Sequence, residues 1–178
     1  YYLGEWKDER FTPDFHARMN WNGWDFFAPE SVLTPDGRRV MWAWCNLGYP
    51  QSGIQSLPRE LSLPEDGLLR IRPLRELEGL RYDEKTVSGI EVKSDTRHRL
   101  EGIAGDALEL RVTFQPGAAK EFGVEVYCDG DGKNGFQIAV EPVGKVLRLG
   151  SLKVPFELPP GEQVELRVFL DKSMIEVF

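Results

Sequence analysis

The 178-residue chain is poor in the residues that build metal and redox sites: it has two cysteines, two histidines and three methionines. Cys45 and Cys128 are too few and too far apart for a zinc framework, and both read as buried free thiols. Neither His16 nor His98 has a Cys, Asp or Ser at a spacing that points to a catalytic triad or a metal site, so both read as surface or hydrogen-bonding histidines. No metal and no cofactor are expected. Long apolar runs are also missing: none approaches the roughly 20 residues of a transmembrane helix, and no basic segment precedes an apolar one. No membrane partner is expected on that ground. Lys and Arg total 22 against 29 Asp and Glu, a net charge of −7, and only Arg38 and Arg39 are adjacent. Nucleic-acid binding draws most of its affinity from clustered cations, so that class of partner is excluded.

What is present is apolar residues in alternation. Hydrophobic residues make up 41% of the chain, and a chain of this length buries roughly 70% of its unfolded surface without a staple. Ala107 to Phe114, Phe122 to Cys128, Gly135 to Glu141, Val164 to Leu170 and Met174 to Phe178 alternate apolar with polar residues and are rich in Val, Ile and Phe. Turn clusters separate them: Pro116-Gly117, Asp129-Gly130-Asp131-Gly132, Pro159-Pro160-Gly161 and Asp171-Lys172. The spacing predicts an all-β fold with an antiparallel sandwich over residues 83–178.

The first 56 residues are strand-like but aromatic, and hold all five tryptophans, Trp6, Trp21, Trp24, Trp42 and Trp44. Tyr1 to Trp6, Trp24 to Leu33 and Arg39 to Cys45 read as strands, with Pro35-Asp36-Gly37 turning the last two into a hairpin. A sheet this small with so many large side chains needs a partner surface. Residues 57–82, punctuated by Pro58, Pro64 and Pro73, read as a packed connector, with a short helix at Leu74 to Leu80. There is no internal repeat, as expected if only one propeller blade is present. The chain starts at Tyr1 and its last strand-like segment, Ser173 to Phe178, stops without a turn, so both ends read as cut.

Few constellations carry chemistry. Asp25 and Glu30 are the candidate pair of carboxylates for glycosidic hydrolysis, but five residues apart in one strand they point to opposite faces about 17 Å from each other along it. They read as structural. Asp129 to Gly135 has the look of a calcium loop, yet Val140 stands where the bidentate Glu belongs, so it reads as a hairpin turn. Trp21, Trp24, Phe27, Trp42 and Trp44 offer flat apolar faces of the kind that stack on sugar rings, with core packing as the competing reading for each.

Several segments together resemble glycoside hydrolase family 32, the invertases, levanases and inulinases. Tyr1-Tyr2-Leu3-Gly4, Trp24-Asp25-Phe26-Phe27-Ala28-Pro29 and Asp36 to Trp44 look like the last blade of that family's five-bladed β-propeller. Leu57 to Leu63 resembles its passage out of the propeller, and Arg167 to Phe178 the signature near the end of its C-terminal β-sandwich. The resemblance implies one blade over residues 1–56, a connector over 57–82 and the sandwich over 83–178. It also implies retaining hydrolysis of terminal β-fructosyl bonds in sucrose or fructans.

The family's nucleophile, transition-state stabiliser and acid/base lie in Trp-Met-Asn-Asp-Pro-Asn-Gly, Arg-Asp-Pro and Glu-Cys motifs, none of which occurs here. No catalytic residue is therefore assigned within the chain, and a missing N-terminal propeller portion is the implied partner. Trp44 matches a family tryptophan that lines the sugar pocket. Phe27 stands where the family usually has Tyr, which removes a hydroxyl, and Asp25 matches the acidic residue of an Asp-Phe-Tyr-Ala segment. The alternative is a non-catalytic sugar-binding or structural module.

Overall fold

A computed structural model describes residues 1–21, 26–46 and 53–178, which divide into two compact units, Tyr1–Pro58 and Arg59–Phe178. The first unit opens with a hairpin of β1 (Tyr2–Lys7) and β2 (Arg10–His16), paired antiparallel from Tyr2↔His16 to Lys7↔Arg10. Its turn residues Asp8 and Glu9 both have positive φ, 49° and 59°. That is the backbone of a two-residue hairpin turn, achieved here without the usual Asn-Gly or Asp-Gly signal. Pro13 lies opposite Gly4 beside a register shift, where a missing N–H costs least.

A second sheet of this unit is formed by β3 (Phe27–Leu33), β4 (Arg39–Cys45) and β5 (Ile54–Gln55). The turn between β3 and β4 follows the sequence reading: Thr34 N–H bonds the Arg38 carbonyl at 2.8 Å and Gly37 N–H the Thr34 carbonyl at 2.9 Å. Asp36 caps it, accepting from the Thr34 hydroxyl at 2.6 Å and from Arg38 Nε at 2.8 Å. These two bonds, in that order, lower the Asp36 pKa from 3.8 to about 2. A carboxyl lowered in the native state adds stability above its unfolded pKa, and that contribution is lost as pH falls through about 2. Thr34→Val removes the larger cause. An NMR titration of Asp36 in that variant is expected to show the midpoint moving up toward the ordinary carboxyl range, and an unmoved midpoint contradicts the assignment.

The second unit begins with a hairpin of β6 (Arg59–Ser62) and β7 (Arg70–Pro73) and a 3₁₀ helix at Arg75–Leu80. The short helix expected at Leu74 to Leu80 is thus a 3₁₀ helix, and Leu74 supplies no side-chain cap to its N-terminus. The sandwich follows: β8 (Ala107–Phe114), β9 (Phe122–Val126), β10 (Phe136–Glu141), β11 (Val146–Leu149), β12 (Leu152–Pro155), β13 (Val164–Asp171) and β14 (Met174–Val177). They form two antiparallel sheets, ordered β12-β11-β10-β9 and β14-β13-β8. The sheets meet through Val126, Ile138 and Val140 from the first and Val164, Leu166, Val168 and Leu170 from the second. These are the inward residues of the period-two pattern.

Two strand ends differ from the sequence reading. The segment expected to run to Cys128 stops at Val126, because Tyr127 takes a positive φ of 54° and turns its hydroxyl to the Met174 carbonyl at 3.0 Å. That leaves Cys128 exposed, so the expectation of two buried thiols holds for Cys45 alone. Desolvation of the Cys128 thiol, followed by the charges of Glu125 and Asp129, raises its pKa, which favours the less reactive protonated form. Near the start of β9, Gly123 lies so close to the Ile138 carbonyl that a Cβ would overlap it.

The outer face of β14-β13-β8 is polar and aromatic in alternation, and the segments just before the sandwich cover part of it. Arg59 Nη2 on β6 donates to Glu176 on β14 at 2.7 Å, and its guanidinium stands 5.2 Å from the Phe178 ring centre. Phe178 meets Phe169 edge-on at 5.9 Å, and Arg167 lies over Phe169 at 5.4 Å. Arg81 and Arg167 both donate to Glu109 at 2.7–3.0 Å. Burial raises the Glu109 pKa, but these two hydrogen bonds and their charges outweigh it and leave the carboxyl below its ordinary value.

Candidate functional site

The aromatic residues singled out in the sequence converge on β3, β4 and β5. Residues directly opposite in an antiparallel pair share a face, as do residues i and i+2 of one strand. Phe27 pairs with Trp44, Glu30 with Trp42, and Gln55 with Trp44 from the other side. One face of this small sheet therefore carries Phe27, Trp42, Trp44, Glu30 and Gln55. The alternate residues of β4, Met41, Ala43 and Cys45, are buried on the opposite face. The Phe27 and Trp44 ring centres lie 5.7 Å apart and are tilted by 45°. Trp44 remains 46% exposed, whereas Trp42 is half-buried.

Two local features bring the chain close beside Trp44. Gly53 has φ +68°, and a Cβ there would overlap the indole at Nε1 and Cε2. Only glycine meets both conditions, so the backbone approaches the ring edge directly. Next to it, the buried Ser56 accepts from Ala43 N–H through Oγ at 3.0 Å and donates its own N–H to the Ala43 carbonyl at 2.8 Å. These bonds anchor β5 against β4. On β3, a register shift between Phe27 and Glu30, with Ala28 at φ 42°, replaces regular alternation. A bulge of this kind re-aims the side chains around it.

Asp25 and Trp24 lie outside the described residues, so the third sugar-binding candidate and the Asp25–Glu30 spacing have no structural account. Glu30 is exposed on β3. Trp21 is 42% exposed. A concavity lined by Arg18, Met19, Asn20, Phe26 and Pro29 belongs to the same unit and includes neither Trp44 nor Phe27. Among the described residues no group of three or more His, Cys, Asp and Glu is placed to hold a metal ion. The Asp129 carboxylate is engaged by its own loop, accepting from Lys133 N–H at 2.7 Å, Asp131 N–H at 3.1 Å and Asn134 Nδ2 at 3.0 Å.

The sequence reading did not find Gln55 or Gly53. A two-residue strand shows no alternation, and the turn signals Pro50 and Ser52-Gly53 mark a loop without saying which side chain its backbone approaches. Their nearness to the Leu57-Pro58-Arg59 segment was the available pointer.

Two family models match in series along the chain. One, described as "Glycosyl hydrolases family 32 N-terminal domain", covers residues 1–73, and the other, "Glycosyl hydrolases family 32 C terminal", covers residues 76–178. The chain belongs to glycosyl hydrolase family 32. It is 28% identical to a sucrose-6-phosphate hydrolase of Zymomonas mobilis over all of its own length and 38% of that protein's. It is 32% identical to a raffinose invertase of Escherichia coli, over 88% of this chain and 34% of the other. The chain thus spans less than two fifths of the length of these curated relatives. Among solved structures, sucrose-6-phosphate hydrolase from Lactobacillus gasseri matches 99% of the chain and 38% of its own length, with a TM-score of 0.71 at 21% identity. That likeness supports the fold, a propeller blade followed by a β-sandwich.

Proposed function

We propose that this family 32 chain is the C-terminal part of a retaining β-fructosidase acting on sucrose or fructans, with its catalytic carboxylates in an N-terminal propeller portion. The observation that carries this reading is the pairing of a family match along the whole chain with the absence of all three catalytic motifs from its sequence. Retaining hydrolysis requires two carboxyl groups about 5–5.5 Å apart across the sugar. Nothing in residues 1–178 is assigned that task.

In this reading Trp44 and Phe27 form one wall of the sugar pocket, and Asp25 is a third substrate-binding residue. The Trp44 and Phe27 rings take the C–H face of the fructosyl unit. Phe27 contributes area but no hydroxyl, so the bond a tyrosine would make there comes from elsewhere or is not made. A second reading, a free-standing sugar-binding module without catalysis, is favoured by one observation: Trp44 is open, with the Gly53 backbone close against its ring edge.

Titration of tryptophan fluorescence with fructose and fructo-oligosaccharides separates the two. One wall of a pocket is expected to give no saturation up to about 1 mM, since a Kd of that size already needs close to 4 kcal/mol of binding energy. A binding module saturates in that range, and saturation overturns the assignment of the chain as an incomplete pocket.

A further inference from the structure

A stacking surface binds many flat-faced ligands, and discrimination among sugars requires polar groups beside it that are free to meet hydroxyls. On the face that carries Trp44 two such groups stand exposed, Gln55 on β5 and Glu30 on β3. Gln55 lies directly opposite Trp44, with Phe27 on the other flank, and Glu30 lies opposite Trp42 one rung along. Directly opposed residues hold their Cβ atoms about 4.5–5.5 Å apart, so an amide at Gln55 reaches over the edge of a ring stacked on Trp44. Among the described residues, other polar side chains of this sheet are engaged elsewhere: Ser56 bonds Ala43, Arg39 donates to Ser31 at 3.1 Å, and Asp36 is held by Thr34 and Arg38. Neither the Gln55 nor the Glu30 side chain has a hydrogen bond or ion pair among the described residues.

We propose that Gln55 and Glu30 are the hydroxyl-reading groups of the aromatic surface, with Gln55 determining which sugars are held at Trp44. The proposal rests on the reading of Trp44 and Phe27 as a sugar-binding wall. The two groups are complementary in chemistry. The Gln55 amide donates and accepts, which suits a pair of vicinal hydroxyls, whereas the Glu30 carboxylate only accepts and orders the hydroxyl protons pointing at it. A side chain bearing neither donor nor acceptor at position 55 keeps the stacking and loses the selection.

The test is a heteronuclear NMR titration of the 178-residue chain with sucrose, carried into the roughly 0.1 M range where a single open surface binds. The Trp44 indole N–H and Gln55 side-chain amide signals are expected to move along one isotherm. Gln55→Leu is expected to weaken binding read at Trp44 by about threefold to tenfold, the worth of one neutral hydrogen bond. Glu30→Gln is expected to weaken it by about threefold, since an amide still accepts. Backbone amides of β4 and β5 report whether either variant keeps its fold, and the wild-type Gln55 amide shift needs no variant at all. If Trp44 responds while the Gln55 amide stays still, or Gln55→Leu binds as wild type does, the role of Gln55 is overturned and the aromatic wall stands. If the Trp44 indole does not respond at any sucrose concentration, the wall and its readers fall together.

Discussion

Arg59→Met is expected to lower the stability of the second unit by about 3–5 kcal/mol, which for a chain of this size is a fall of about 10 °C in Tm. The reason lies in what the substitution leaves behind. The Arg59 and Glu176 side chains are only 8% and 9% exposed and meet at 2.7 Å. Removing the guanidinium takes its charge partner from a carboxylate that is mostly shielded from water, and takes the cation off the Phe178 ring. The double variant Arg59→Met, Glu176→Leu removes both charges and is expected to recover most of the loss, because a buried ion pair is worth little more than an apolar pair of similar volume. Thermal denaturation of the two variants against wild type checks this. Equal losses in the single and double variants contradict it.

Ile138→Ala is expected to cost about 2–5 kcal/mol by deleting fully buried side-chain volume at the centre of β10. Ile138 is flanked by Val124 on β9 and Leu149 on β11 and faces the β13 side chains across the sandwich. The cavity has little freedom to collapse, since Gly123 already brings β9 against the Ile138 carbonyl as closely as backbones allow. The control is Val146→Ala on β11, which pairs with Glu141 and lies on the other face of the same sheet by register. It is expected to cost under about 1 kcal/mol. Urea unfolding of both variants measures the difference, and comparable costs contradict the assignment of faces.

The fold was legible where strands were long. Ala107–Phe114 and Val164–Asp171 each run eight residues, so period two is unmistakable in both. The four-residue strands β11 and β12 were not read, because two inward residues each do not establish a period and Pro155 closes the second. The β1–β2 hairpin was hidden by its turn, since Asp8 and Glu9 seldom adopt positive φ. The site was legible in part. The residue types pointed to stacking, and the match of Trp44 and Phe27 to family positions selected them from the other aromatics. Their pairing across β3 and β4, the room made for Trp44 by Gly53, and the place of Gln55 on the same face depend on register, which sequence spacing does not fix across a bulge.

The buried Arg59–Glu176 pair was legible only as separate fragments, one inside Leu57 to Leu63 and the other inside Arg167 to Phe178. Residues 117 positions apart come together because the outer face of the β13–β14 hairpin needs a cover that also satisfies Glu176.

The central claim is that the catalytic groups are not among these residues, and fructose release measures it most directly. The purified 178-residue chain, folded by circular dichroism, is expected to liberate no fructose from sucrose, inulin or levan above the rate in buffer. Release that the chain sustains by itself would contradict the account, whether it persists in Asp25→Asn and Glu30→Gln variants or is lost in them.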